Sequence, residues 1–448
     1  MVRLPRVVVA APASGHGKTM VATGLMATLR RTGLRVSGHK VGPDYIDPGY
    51  HALATGRPGR NLDPWLVGEE RIAPLLLHGA LTPEAADVAV IEGVMGLHDG
   101  AVGRGGFAST AHVAGLIQAP VILVLDTTAQ GRTAAAIVHG LQQFDPSVHI
   151  GGVILNRVGS PRHETLLRDA MAEVGVPVLG SVARAEQVTT PSRHLGLIPA
   201  AERSVEAEQA VTALADLIAD GVDLDAVLDV ARGAPEFDAA PWRAESEVSA
   251  GGTGVTVAVA AGAAFTFGYA ETSELLTAAG ARVVTLDPLV DQALPAGTDG
   301  LVIGGGFPEI HAEQLAANTA LRAEIAAFDG PISAECAGLL YLCRSLDGAP
   351  MTGLIDAHAA MTPRLTLGYR EAVAETNSPV ATAGTSVRGH DFHRTSIDPA
   401  HGANAAWRYN NDGSRHGFAS GRIHAAYLHT HWAGHPAAAE RFVAACRG

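Results

Sequence analysis

Cys336 lies in Pro331-Ile332-Ser333-Ala334-Glu335-Cys336-Ala337-Gly338-Leu339-Leu340-Tyr341, an apolar run, a thiol between small neighbours, and a helix-forming stretch. A strand turning sharply into a helix lifts such a side chain clear and places it at a helix N-terminus, where a thiolate is stabilised. A buried structural cysteine is the alternative, and Cys343 and Cys446 are read that way. Gly304-Gly305-Gly306 follows another apolar run. The N–H groups of Gly305, Gly306 and Ala337 are candidate donors to a tetrahedral oxyanion, a tight turn being the other reading. A thiol nucleophile needs a base that takes its proton and returns it to the leaving group. In Tyr427-Leu428-His429-Thr430-His431-Trp432 two histidines stand at i and i+2, on one face if the segment is a strand.

A second set of residues, near the start, suits phosphate chemistry. The apolar run Val7–Ala11 leads into Pro12-Ala13-Ser14-Gly15-His16-Gly17-Lys18-Thr19 and a helix-like stretch. Small residues (Ser14, Gly15, Gly17) let backbone N–H groups converge on phosphate oxygens, Lys18 reaches the outer phosphates, and the Thr19 hydroxyl can ligate Mg²⁺. Pro12 stands where the leading Gly of the usual pattern belongs. Glu92 ends an apolar run and is a second candidate Mg²⁺ ligand, with Asp44 a third. Lys40, Asp44, Tyr45 and Asp47 share a loop after another run, at the ligand-binding rim of an open parallel sheet, where Lys40 can neutralise a transferring phosphate. Asp99 follows in Gly96-Leu97-His98-Asp99-Gly100, with helix capping as its alternative. Asn156 ends a further run and is read either as a nucleotide-base ligand or as a turn residue.

The elements that must carry these residues are legible as short apolar runs, each followed by a helix-like segment. They are Arg6–Ala11, Arg35–Lys40, Val88–Glu92, Pro120–Asp126, His149–Asn156 and Pro177–Ser181, the pattern of a parallel sheet covered on both faces. A helical stretch from about Ser204 to Val230 closes this half, and 233–254 reads as a linker between a domain at 1–232 and another at 255–448. The second α/β series has runs at Val255–Ala260, Ala281–Leu286, Gly300–Ile303 and Pro331–Ala334, with helices at Glu271–Ala279 and Ala312–Phe328. Beyond Met351 the pattern is more strand-rich, with a final helix at Ala437–Arg447. The 448 residues exceed one comfortable core, and 47% hydrophobic with 17% charged residues describes a globular chain. A net charge of −13 argues against a nucleic-acid partner. Three cysteines make no disulfide framework, a reducing cytoplasm is expected, and no apolar stretch of membrane-spanning length is found. A homodimer is compatible with all of this.

Lys18-Thr19, the run from Lys40 to His51 (Lys-Val-Gly-Pro-Asp-Tyr-Ile-Asp-Pro-Gly-Tyr-His) and Glu92-Gly93-Val94-Met95-Gly96-Leu97 resemble the N-terminal motifs of the cobyrinate and hydrogenobyrinate a,c-diamide synthases. The thiol, triple-glycine and Tyr-Leu-His segments resemble class I glutamine amidotransferases, as do Leu367-Gly368-Tyr369-Arg370 and Arg388-Gly389-His390-Asp391-Phe392-His393 the same corrinoid amidases. The resemblance runs from about Arg6 to Ala445. It implies a P-loop NTPase-type, dethiobiotin-synthetase-like domain followed by a flavodoxin-like glutaminase domain. It further implies ATP and Mg²⁺, glutamine as nitrogen donor, and acyl-phosphate activation of two corrin acetates. On this pattern His429 is the base, and His431 stands where the orienting Glu of other class I enzymes is found. Tyr45, Asp47, Asp99, Arg388, His390 and His393 are then candidate substrate contacts, the last three for holding the macrocycle. His16, Met20, Ala337 and Asp391 depart from the usual residues. The rival readings are the same chemistry on another tetrapyrrole, such as nickel sirohydrochlorin, or a P-loop switch without glutaminase activity, which leaves Cys336 and His429 idle.

Overall fold

Arg6–Ala10 (β1) is buried at every position, as a run of β-branched residues must be when helices cover both faces of a sheet. The computed structural model describes residues 2–184, 192–193, 196–197, 199–202, 204–251 and 254–448. They fall into two compact units, one of Met1–Pro64 and Gly68–Trp242, the other of Trp65–Val67 and Arg243–Gly448.

The first unit is built on β1, β2 (Val36–Val41), β3 (Arg60–Leu62), β4 (Val88–Glu92), β5 (Val121–Asp126), β6 (Ile150–Val158) and β7 (Val178–Ala183), ordered β3-β2-β4-β1-β5-β6-β7 with parallel pairing throughout. Parallel register sets Lys40 beside Glu92, and Val9 beside Glu92 from the other side. Three strand ends thus meet at one edge, the rim where open α/β sheets bind ligands. Helix α1 (Lys18–Arg31) leaves the loop after β1, and α2 (Asp47–Thr55) leaves the loop after β2.

The expected helix from Ser204 to Val230 is two, α3 (Ser204–Gly221) and α4 (Leu224–Arg232), because Asp223 stops the first and caps the second through the N–H of Ala226. The stretch read as a linker is ordered at its start. Phe237 pairs with Val2 and lies under the Arg6 guanidinium, 3.8 Å from the ring centre, and Trp242 is buried. Residues 252–253 of that stretch lie outside the described residues.

In the second unit, β8 (Val255–Ala260), β9 (Ala281–Leu286), β10 (Gly300–Ile303) and β11 (Ile332–Glu335) run parallel, in the positions expected to within a residue. With β14 (Phe418–Ala419) and β15 (Ile423–Ala426) they form a sheet ordered β9-β8-β10-β11-β15-β14. Counting the parallel strands along the chain gives 2-1-3-4-5, the flavodoxin-like order. A second sheet carries the long antiparallel pair β12 (His358–Ala374) and β13 (Ser386–Asp398), against which β16 (His429–Thr430) pairs. The helix expected at Ala312–Phe328 is broken into Ala312–Ala317 and Thr319–Ala327, since the Asn318 side chain accepts from Leu321 N–H and starts a new helix.

Candidate active sites

In the first unit the loop Pro12–Gly17 turns through two glycines in the left-handed region, Gly15 (φ 83°) and Gly17 (φ 94°), and Ser14 and Gly15 are exposed on it. His16 Nδ1 accepts from the Asp126 N–H at 3.0 Å, Asn156 Nδ2 donates to the His16 carbonyl at 2.8 Å, and Arg157 reaches both Gly15 O and Asp126. Asn156 therefore braces the phosphate loop, and the departure at His16 latches that loop to the end of β5. Burial holds His16 below its ordinary range, which suits a ring nitrogen that must accept. Lys18 donates to the carbonyls of Ala13 and Met95, and burial followed by the nearby Lys40 lowers it to about 8. Anionic phosphate would reverse that shift.

Thr19, Lys40, Asp47 and Glu92 converge. Glu92 Oε1 accepts from Thr19 Oγ1 (2.5 Å) and Lys40 Nζ (2.8 Å), and its Oε2 lies 2.7 Å from His51 Nε2. Asp47 Oδ2 accepts from Lys40 Nζ at 2.6 Å and lies 3.4 Å from Thr19 Oγ1. Burial opposes the charge on Lys40, but Asp47, Glu92 and Asp44 outweigh it and keep the ammonium protonated. Burial likewise opposes Glu92, which Lys40 and His51 hold below the carboxylate range, while Asp47, buried beside Asp44 and Glu92, is raised. One buried ammonium donates to two carboxylates and the Gly93 carbonyl, and the two carboxylates with the Thr19 hydroxyl make a hard-oxygen set of the kind Mg²⁺ takes. Asp44 is turned elsewhere: its Oδ1 accepts from the N–H groups of Ile46 and Asp47. Asp47, read from sequence as a substrate contact, is the carboxylate that stands beside Thr19. Tyr45 is buried, and Asp99 accepts from Gly96 N–H at 2.9 Å, a turn-closing contact. Sequence gives His51 and Asp126 no role of their own: His51 reaches Glu92 from α2, and Asp126 meets His16 and Arg157 from the end of β5.

In the second unit Cys336 follows β11 with φ 49° and ψ −104°, a corner a non-glycine residue adopts only when its surroundings enforce it. The enforcing bonds are Cys336 N–H to Ala426 O (2.8 Å) and Gly338 N–H to Gly304 O (3.0 Å), which also ties the corner to the glycine loop. The following helix, Ala337–Leu342, has six residues, so the nearby N–H of Ala337 matters more to the sulfur than an extended dipole. Cys336 is 3% exposed, its Sγ is 3.9 Å from Phe392 O, and burial, then Glu309, push the thiol far up. The resting sulfur is a neutral thiol. Cys343, by contrast, bonds to Leu339 O within its own helix and is pushed by burial to about 12, the behaviour of a packing residue.

Gly305 exchanges both backbone hydrogen bonds with Phe267 (3.0 and 3.1 Å). Its N–H is thus already donated, which corrects the expectation that it faces an oxyanion and leaves Gly306 and Ala337 as candidates. Gly305 has another use. A Cβ there would lie 2.6 Å from His429 Cε1 and 3.0 Å from Phe267 Cβ. We expect Gly305→Ala to displace the imidazole and cut glutamine-dependent turnover about 10²-fold, the usual cost of a misplacement near 1 Å. Turnover with ammonium salts should be unchanged, and steady-state rates with the two nitrogen sources check this.

His429 is 1% exposed and burial, then His390 and His393, hold it well below its ordinary range. Its ring centre lies 5.0 Å from that of His390. His393 stacks on Tyr427 at 3.7 Å, with its Nδ1 2.9 Å from Thr395 O. Both therefore stand around the thiol centre. Arg388, the third of the group read as macrocycle contacts, is half exposed and 3.6 Å from Glu371. His431 stacks on Tyr269 (4.1 Å), accepts from Ala433 N–H and lies 3.6 Å from Glu271. Asp391 is buried between Arg370 Nε (2.8 Å) and Tyr409 OH (2.8 Å).

Residues 7–198 match the CobQ/CobB/MinD/ParA nucleotide binding domain, and residues 256–437 match the CobB/CobQ-like glutamine amidotransferase domain. A hydrogenobyrinate a,c-diamide synthase of Streptomyces coelicolor is 56% identical, spanning 99% of this chain and 98% of its own. One of Thermobifida fusca is 57% identical over 99% and 97% of the two chains. A cobyrinate a,c-diamide synthase of Syntrophotalea carbinolica is 41% identical over 99% of each. A CobQ/CobB-type nucleotide binding domain and a CobB/CobQ-like glutamine amidotransferase domain in one chain, matched over nearly its whole length by these relatives, settle the class of chemistry: the chain belongs to the a,c-diamide synthase family of glutamine-dependent, amide-forming ligases.

Proposed function

We infer that the protein amidates the a and c acetate side chains of hydrogenobyrinate, using ATP to activate each carboxylate and glutamine to supply nitrogen. The observation that carries this reading is the similarity of the whole chain to relatives named for that activity at 51–57% identity, against 40–43% for those named for cobyrinate. The side chains support the chemistry. A carboxylate is a poor electrophile, so its oxygen first attacks the γ-phosphorus of ATP, giving an acyl phosphate and ADP. Lys18 and Lys40 would neutralise the charge that leaves the γ-phosphoryl group. Thr19, Glu92 and Asp47 would hold Mg²⁺, which supplies charge neutralisation to the nucleotide when bound.

In the glutaminase unit His429 takes the proton of Cys336, and the sulfur attacks the glutamine side-chain carbonyl. Gly306 and Ala337 N–H groups receive the oxyanion. His429 then returns the proton to the departing nitrogen, ammonia leaves, and water cleaves the glutamyl thioester. Ammonia displaces phosphate from the acyl phosphate to give the amide. The upward push of burial on the Cys336 thiol fits a site that acquires its thiolate only as substrate arrives.

The test supplies ATP, Mg²⁺ and glutamine with hydrogenobyrinate, cobyrinate or nickel sirohydrochlorin, and follows ADP release and product mass. Hydrogenobyrinate should be converted to the diamide fastest. Faster conversion of the nickel tetrapyrrole would overturn the substrate assignment, and ADP release independent of glutamine and ammonia would overturn the ligase reading.

A further inference from the structure

Resting on that glutaminase reading, we propose that Glu335, the residue before the nucleophile, is the positioning carboxylate for His429. In sequence the place two residues after the base is held by His431, whose ring is engaged by Tyr269, Ala433 and Glu271. The carboxylate beside His429 arrives from another element. Glu335 ends β11, in register with Ala426 of β15, and its Oε2 lies 3.9 Å from His429 Nδ1. The other oxygen, Oε1, is fixed by Thr430, accepting from its Oγ1 at 2.7 Å and its N–H at 3.2 Å. Thr430 is the neighbour of His429, so base and carboxylate are tied through a single short strand. Because Glu335 is also bonded directly to Cys336, one dipeptide supplies both the nucleophile and the group that aims its base.

In this proposal Nδ1 faces Glu335 and Nε2 takes the thiol proton. The imidazolium then formed meets a carboxylate, and the proton passes on to the departing nitrogen, so Glu335 stabilises a charge that exists only in mid-reaction. Burial raises Glu335 to about 7 against the Thr430 hydrogen bonds, and a neighbouring imidazolium would favour its ionised form. The charged and titratable groups around the pair are His390 and His393, which oppose charge on His429, and Glu309, Asp391 and Glu335 itself, which raise the Cys336 thiol.

The test compares Glu335→Gln, Glu335→Asp and Thr430→Val with wild type in three readouts: glutamine-dependent amidation, amidation with ammonium chloride, and the pH profile of Cys336 alkylation by iodoacetamide. Glu335→Gln keeps an acceptor for Thr430 but removes the charge. It should lose about 10²-fold in glutamine-dependent kcat/KM, keep the ammonium rate, and move the acid limb of alkylation to lower pH, because the carboxylate that raises the Cys336 thiol has lost its charge. Glu335→Asp should recover part of the loss, and Thr430→Val, which loosens the carboxylate without neutralising it, should show a smaller loss with a shift of the same sign. Wild-type glutamine rates and an unmoved alkylation profile in Glu335→Gln overturn the proposal. So does an equal fall with both nitrogen sources, which marks a structural role. If Glu335→Gln does not fold, unchanged behaviour in the other two variants overturns it equally. Retention of glutamine-dependent turnover in Cys336→Ala sinks the underlying glutaminase reading instead.

Discussion

Cys336→Ala is expected to lose glutamine-dependent amidation by on the order of 10³-fold or more, while amidation with ammonium salts continues at the wild-type rate. The split follows from the placement of the thiol. Cys336 sits at an enforced positive-φ corner between β11 and a six-residue helix, far along the chain from Lys18, Lys40 and Glu92. Deleting the sulfur removes the group that attacks glutamine and leaves the nucleotide-binding side chains as they are. The same corner gives a second reading. A strained φ/ψ costs roughly 1–3 kcal/mol when a Cβ is present. Cys336→Gly should therefore be inactive with glutamine but no less stable than Cys336→Ala, whereas an ordinary buried site would lose more stability on conversion to Gly. Thermal melts of the two variants, with amidation assays on both nitrogen sources, check this. A variant lacking the sulfur that still hydrolyses glutamine would remove Cys336 from the mechanism.

Lys40→Met should abolish amidation with either nitrogen source and destabilise the first unit by about 3–5 kcal/mol near neutral pH, the usual result of stripping the partner from buried charge. Lys40 Nζ lies within 2.6 Å of Asp47 and 2.8 Å of Glu92, and both carboxylates are buried. The pH dependence has a definite sign. In the wild type Glu92 is held below its unfolded value, so its stabilising contribution is present above the ordinary carboxylate range and fades as pH falls through that range. Asp47 is already raised in the wild type; in Lys40→Met both carboxylates should have folded values above the unfolded ones, so more stability is lost as pH rises from about 4. The gap between the proteins should close in acid and open toward neutrality. Denaturant titrations at a series of pH values measure it, and a gap that stays constant with pH would show that Lys40 contributes through packing alone.

What the sequence discloses here is what lies close along the chain. The strand–Gly–Lys–Thr–helix turn is local, as is the strand–Cys–helix corner, and both are where the pattern of apolar runs and small residues places them. The alternation of buried strands and helices gave the order of elements because each strand is apolar on both faces. Asp47 and Asp44 are near neighbours in one loop with the same chemistry. Only the start of α2 decides that Asp44 caps backbone N–H groups while Asp47 turns to Thr19 and Lys40. The pairing of Gly305 with Phe267, which takes its N–H out of play, and the approach of Glu335 to His429 depend on segments tens of residues apart. The helix breaks at Asn318 and Asp223 are hidden in the apolar pattern, because apolar residues recur on both sides of each. The signal was present in the residue types, since both are side chains that start helices.

The proposed nucleophile and base belong to different sheets of the second unit: Cys336 is anchored on the parallel sheet through Ala426, while His429 is paired with His390 of the antiparallel one. On the proposed mechanism the seam between those layers would act as a throttle. A slide of a fraction of an ångström would spoil proton transfer without unfolding either layer, and substitutions along the seam would set how much glutamine is wasted when no acid awaits nitrogen, leaving every proposed reacting group untouched.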